Sequence, residues 1–308
     1  MKNIFIEGIQ GMGKSTLLQA IASKYPEYMV CREGDYAPVE LAWCAWLTKE
    51  EYEGVLGRYE ALKDEIEKNT VVEKIDKDSC EHGNAISFKE QEQMDALRYI
   101  VCYTKIITDI LGFHKDLEQY EIYNGRKSLE EMQEIILARY ERFFATFKSE
   151  SKKDTKNCVD AFKDSFSKEG YLFECSFLQN IVEDLILFHQ LNDDEIVDFY
   201  KKLYEKVDKE KFTLLYLYSD NLEETINVIK KERSDGQGNE MWYPLMQEYL
   251  VNSPYGKAHG YKNFEDMVNH FRHRQRLELR IIKEVVGENA RVIPAKEWNE
   301  KFLNEMVL

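Results

Sequence analysis

Eight residues near the start of the chain, Gly8-Ile9-Gln10-Gly11-Met12-Gly13-Lys14-Ser15, place glycines, one lysine and one hydroxyl at the spacing G-x-x-x-x-G-K-[ST]. Glycines let backbone N–H groups turn inward around an anion, and the N-terminus of a following helix adds a positive dipole end. Lys14 then reaches the β- and γ-phosphates of a nucleoside triphosphate, and the Ser15 hydroxyl coordinates Mg2+. Asn3–Glu7 is an apolar run of strand length before the loop, and Thr16–Ala22, with Leu17, Leu18 and Ile21, has a helical pattern after it. The nucleotide-binding set expected here is Gly8, Gly11, Met12, Gly13, Lys14, Ser15 and Thr16. ATP and GTP fit the motif equally.

Such a loop needs a strand to carry it. Asn3–Glu7, Tyr28–Arg32, Phe212–Tyr218 and Ala290–Pro294 have the length and the β-branched or aromatic content of buried parallel strands, and Gly170–Glu174 is a shorter fifth. Strands separated by long helical crossovers predict a three-layer α/β fold with a central parallel sheet. Residues from about Glu40 to Phe166 are rich in Glu, Lys and aromatics and poor in Pro and Gly, which predicts an inserted helical lobe. Met94–Leu111 and Leu129–Phe147 each carry apolar positions on one helical face, and Lys148–Asn157 reads as a loop. The organisation expected is one domain over 1–308, with residues 40–157 as the lobe that binds the acceptor and 230–240 as a lid.

Carboxylates at the C-terminal ends of strands lie at the ligand edge of an α/β sheet. Glu33 and Asp35 follow the second strand and are candidates for a general base, or they cap a helix beginning near Pro38. Glu174 closes the run Tyr171-Leu172-Phe173, where a bound cation would offset the cost of half-burying its charge; helix capping is the alternative. Arg272, Arg276 and Arg280 share a helical face at i, i+4 spacing, within the run Arg272-His273-Arg274-Gln275-Arg276. They form either a solvated face paired to acidic residues or a phosphate contact. Trp43 and Trp46, with Tyr36, could stack on a base, but their helical spacing favours core packing. His189 reads as structural.

Composition narrows the partners. The chain has 57 Asp and Glu against 42 Lys and Arg, a net charge of −15, so nucleic acid and anionic membranes do not suit its surface. Six widely spaced cysteines, Cys31, Cys44, Cys80, Cys102, Cys158 and Cys175, contain no C-x-x-C pair and read as reduced thiols. No signal-peptide pattern and no membrane-length apolar run is found, so a cytoplasmic location is expected. A homodimer is left open.

Together with the glycine loop, four segments resemble the deoxynucleoside kinase and thymidylate kinase group of P-loop proteins. Arg32-Glu33-Gly34-Asp35-Tyr36-Ala37-Pro38-Val39 is similar to a Glu-Pro-Val element whose carboxylate activates the attacking hydroxyl; Glu33 and Asp35 compete for that role, with Asp35 favoured because Gly34 frees the chain to turn it inward. Glu174-Cys175-Ser176 resembles a Glu-Arg-Ser element in which Glu organises Mg2+, with Cys175 where the arginine stands. Phe212–Asp220, the helix after it and Arg233-Ser234-Asp235-Gly236-Gln237-Gly238 resemble a strand, helix and lid, which makes Lys230, Lys231 and Arg233 candidates for phosphate. Arg291–Ala295 is similar to the last sheet strand. The resemblance implies a P-loop NTPase fold and a kinase that uses ATP and Mg2+ on a small-molecule acceptor, a nucleoside or nucleotide first. An antibiotic or other non-nucleoside alcohol is one alternative, and an ATPase switch that binds a protein partner is another.

Overall fold

The structure, a computed structural model, describes residues 1–74, 97–147, 170–235, 237–295 and 297–305. The chain divides into two units, Met1–Val30 with Gly170–Leu308, and Cys31–Glu169. In chain order the strands are β1 (Asn3–Gly8), β2 (Tyr28–Cys31), β3 (Ala45–Leu47), β4 (Thr70–Lys74), β5 (Leu97–Val101), β6 (Gly170–Glu174), β7 (Phe212–Tyr218) and β8 (Ala290–Pro294).

The first unit is α/β. Its five-stranded sheet has the order β2-β6-β1-β7-β8, and β1 runs parallel to both β6 and β7. Every residue of β1 and of β6 is buried, which explains their unbroken apolar runs: parallel strands are covered on both faces. At the centre Phe5 stacks on Phe173 with centroids 4.6 Å apart and lies tilted against Phe212 at 4.8 Å, tying the three middle strands together. Each such ring contributes about 1.5–3 kcal/mol through burial. Helix α1 (Lys14–Lys24) follows β1 directly. Because β1 is central and its neighbours lie on opposite sides, its C-terminal end opens where the strand order reverses, the usual ligand crevice of such sheets.

Helices α6 (Gln179–Leu187), α7 (Asp193–Glu205), α8 (Leu222–Glu232), α9 (Trp242–Asn252), α10 (Pro254–His259) and α11 (Phe264–Ile281) complete this unit, with a short α12 (Glu300–Glu305) at the end. Local chemistry starts them. Asn192 with Glu195 and Asn263 with Asp266 form reciprocal caps at the N-termini of α7 and α11. The five sheet strands agree with the sequence reading, except that β1 runs on to Gly8 and β2 ends at Cys31 and not at Arg32.

The second unit differs from the helical lobe expected. It contains α2 (Lys49–Arg58), α3 (Lys63–Lys68), α4 (Phe113–Glu118) and α5 (Leu129–Ala145), but also an antiparallel sheet in the order β3-β5-β4. The helix expected over Met94–Leu111 is therefore a correction: Leu97–Val101 is strand, and Tyr103–Lys105 a single tight turn. Tyr99, Ile100 and Val101 favour a pleated surface, and Tyr99 stacks on Tyr52 of α2 at 4.5 Å. Trp46 lies in β3 and Trp43 in a turn with φ 62°, so the pair shares no helix. No helix begins near Pro38. The Leu129–Phe147 pattern is the helix α5, opened by a reciprocal cap between Ser128 and Glu131. The Lys148–Asn157 loop, Met94, Cys80, Cys158, His82 and Gly236 lie outside the described residues. Cys31, Cys44, Cys102 and Cys175 are buried and form no disulfide among the described residues. Among the described residues no helix is long and apolar enough to cross a membrane.

Candidate functional site

The glycine loop joins β1 to α1, and steric room explains two of its glycines. A Cβ on Gly8 would sit 2.3 Å from the Leu217 carbonyl oxygen of β7, and one on Gly11 would sit 2.1 Å from Ile229 Cδ1 of α8. Gly13 meets nothing, but its φ of 85° starts α1 from the left-handed region, where other residues are strained. The loop is thereby pressed between its own strand, the neighbouring strand and α8.

Lys14 opens α1 and is buried, and its ammonium donates to the carbonyls of Gly8 (2.8 Å) and Ile9 (3.0 Å). Those bonds fold the lysine over the loop and satisfy its charge with backbone oxygens. A phosphate oxygen would compete for the same donors. Ser15 donates its hydroxyl to Glu174 Oε1 from the end of β6. Glu174 is buried, so its carboxylate and the Ser15 hydroxyl form an oxygen pair that suits a hard cation. Met12 is buried beneath the loop, and Thr16 is exposed on the first turn of α1. Of the residues expected to bind nucleotide or metal, all eight thus lie at the end of β1, the start of α1 and the end of β6.

Cys175 follows Glu174 with φ 60° and is fully buried, its N–H donating to the Ile6 carbonyl at 3.1 Å. This position turns the chain out of the sheet and presents no side chain at the surface. Arg233, one of the candidate phosphate contacts, is exposed at the C-terminal end of α8, with its guanidinium 5.7 Å from the Trp242 ring. Beyond it, Ser234 bridges to Glu240, and Asp235 accepts from the N–H groups of Gln237 and Asn239. Lys230 is held 4.0 Å from the Tyr243 ring centroid, and Lys231 is exposed.

Sequence reasoning missed a buried polar network beside the loop. Arg274 on α11 is fully buried. It donates to Glu183 of α6 at 2.9 Å, pairs with Glu278 one turn along at 3.1 Å, and donates to the side-chain oxygen of Gln10 at 2.9 Å. Tyr216 of β7 donates to Glu278 at 2.6 Å, and His270 Nε2 lies 3.0 Å from Glu183. Burial opposes the charge on Glu183, but Arg274 and His270 outweigh it and lower the carboxyl to about 2. Burial raises Glu278 in spite of Arg274. Arg272 and Arg280, in contrast, make exposed pairs with Glu223 (3.5 Å), Asp194 (2.7 Å) and Glu284 (2.9 Å), the solvated alternative. The arginine run was visible in the sequence; the face it buries was not.

Glu7, just before the loop, was also missed. It is fully buried and accepts from the N–H groups of Phe177 (2.6 Å) and Gln179 (3.0 Å), so it fixes the connection that leaves β6. Burial pushes its carboxyl up to about 7 although both backbone bonds pull it down.

Glu33 and Asp35 belong to the second unit, and both have partners there. Asp35 accepts from Lys105 at 2.5 Å and from the Arg32 N–H at 3.0 Å, and Glu33 accepts from the Trp43 indole at 3.1 Å. Gly34 between them has φ 84°, as a free turn requires. The bond to Asp35 in turn raises Lys105. Compared with known proteins, the chain matches no protein-family model and no curated protein.

Proposed function

We propose that the chain is a phosphotransferase of P-loop NTPase fold that uses ATP and Mg2+ to phosphorylate a small molecule, a nucleoside or nucleotide first, in the cytoplasm. One observation carries the reading: a three-glycine loop at the C-terminal end of the central strand, with Lys14 folded over it and Ser15 joined to Glu174. Nucleotide phosphates would displace the Gly8 and Ile9 carbonyls from the Lys14 ammonium, and the N-terminus of α1 would face the same charge. Ser15 and Glu174 would hold Mg2+, which supplies charge neutralisation when bound. Arg233 is the candidate for the arginine that Cys175 replaces. Asp35, or Glu33, would accept the proton of the attacking hydroxyl; because Lys105 holds Asp35, part of that pairing must loosen first.

The partners already held by Asp35 and Glu33 favour a second reading, a nucleotide-dependent switch that needs no general base. A panel of nucleosides, nucleotides and aminoglycoside alcohols assayed for ADP release separates the two. A kinase turns over ATP faster with at least one of these acceptors. A rate that no panel member raises, but that a captured protein partner does, supports the switch.

A further inference from the structure

Arg274 is the charged group at the glycine loop that the proposed chemistry leaves unused. Removing an arginine from water costs several kcal/mol, and a buried pair alone seldom returns a net gain, so a fully buried arginine calls for some further reason. Here it has two carboxylates, Glu183 and Glu278, and spends a further donor on the side chain of a loop residue. Guanidinium has only donors. Whatever lies within hydrogen-bond reach of Arg274 must therefore show it an oxygen, and Gln10 has a single side-chain oxygen. With Oε1 committed to Arg274, the amide NH2 of Gln10 is turned the other way. Gln10 is half-buried, and among the described residues its Nε2 has no partner.

We infer that Arg274 is a positioning residue which locks the Gln10 amide in one orientation, so that Gln10 Nε2 donates to a phosphate oxygen of the nucleotide in the glycine loop. The inference rests on the nucleotide-binding reading and adds a donor that the motif does not specify. The anchoring has reach because the network spans four elements: Glu183 on α6 and Glu278 on the arginine's own helix pair with Arg274, Tyr216 on β7 donates to Glu278, and Gln10 belongs to the glycine loop. A rigid support of this kind is what keeps a binding group within a fraction of an ångström of its productive place.

The test is calorimetric titration with adenylyl imidodiphosphate and Mg2+, alongside thermal unfolding, on the full chain. Gln10→Met removes both the oxygen and the NH2, so it should weaken binding roughly tenfold, the worth of one hydrogen bond to a charged group, and should also lower the melting midpoint because a buried Arg274 donor loses its acceptor. Gln10→Glu keeps an oxygen for Arg274 but has no donor, so it should melt no lower than wild type and still bind at least tenfold more weakly. Arg274→Lys should weaken binding by a similar factor, and the double variant with Gln10→Met should be no weaker than the poorer single one. Wild-type affinity in Gln10→Met or in Gln10→Glu overturns the inference even if Arg274→Lys does not fold. So do effects of Gln10→Met and Arg274→Lys that multiply. A wild-type chain that does not bind the probe overturns the nucleotide reading itself, and this inference with it.

Discussion

Among the described residues the two largest fully buried side chains are both arginines, one in each unit, and they are used differently. Arg139 on α5 donates to Glu73 of β4 at 2.7 Å and to the Ala37 carbonyl at 2.7 Å, while Tyr36 also donates to Glu73 and Arg142 approaches that carboxylate at 3.3 Å. These partners hold Glu73 below its ordinary value against the effect of burial. The result is a closed brace that ties α5 to β4 and to the backbone two residues beyond Asp35. Arg274 is also held by carboxylates, Glu183 and Glu278, the latter bonded by Tyr216, but one of its donors ends on a half-buried side chain of the glycine loop. Similar electrostatics thus serve a scaffold in one unit and a loop in the other. What separates them is whether the network ends on backbone or on a half-buried side chain of the glycine loop.

If the second unit provides the general base, its loss should be the largest effect of all. Asp35→Asn should lower kcat about 10²–10⁴-fold with nucleotide affinity unchanged; a small loss there with a large one in Glu33→Gln transfers the role, and small losses in both favour the switch. The brace itself is tested by Arg139→Met, which leaves the Glu73 charge buried and should cost about 3–5 kcal/mol in urea unfolding. Nucleotide affinity measured in the folded fraction should not change, and a matching loss of affinity would erase the contrast with Arg274.

Smaller effects are expected in the first unit. Because folding raises Glu7 from 4.5 to about 7, the folded state binds its proton more tightly than the unfolded state does. The resulting stabilisation is complete below about pH 4.5 and is lost as pH rises through about 7, an effect on the order of 3 kcal/mol. Unfolding free energy measured from pH 5 to 8 should therefore fall less steeply in Glu7→Gln than in wild type, and parallel curves would contradict the assignment. Glu174→Gln keeps the shape of its site and should shift the Mg2+ dependence of turnover about tenfold with a small change in melting. A Mg2+ titration that overlays wild type would reduce Glu174 to a structural bond for Ser15.

Much of the first unit was legible because its signals are local. The strand Asn3–Gly8, the loop glycines and the helix from Lys14 follow from apolar runs and from fixed motif spacing. Glu174 stood out because a charge closing a buried strand has few explanations, and the structure sets it against Ser15. Arg274 escaped for a physical reason: the arginines of one helix differ only in which face is covered, and that depends on α6 and β7, far away in sequence. The spacing of Arg272, Arg276 and Arg280 pointed to the exposed face instead. Leu97–Val101 was misread because five residues of β5 supply too few positions to separate a period of 2 from one of 3.6, and adjoining apolar residues extended the false helical match. Its strand state comes from pairing with β3 and β4, whose partners are set by the fold of the whole unit.

If the glycine loop holds nucleotide phosphates through Lys14, binding of Mg2+ and ATP to wild type and to Lys14→Ala shows it most directly. Among the described residues the Lys14 ammonium bonds only to the Gly8 and Ile9 carbonyls, so the variant should keep the wild-type circular dichroism and melting midpoint to within a few degrees. It should lose affinity and turnover on the order of 10²-fold, as removal of a donor aimed at reacting charge does. Equal affinity in the two folded proteins, or none in wild type, would contradict the account.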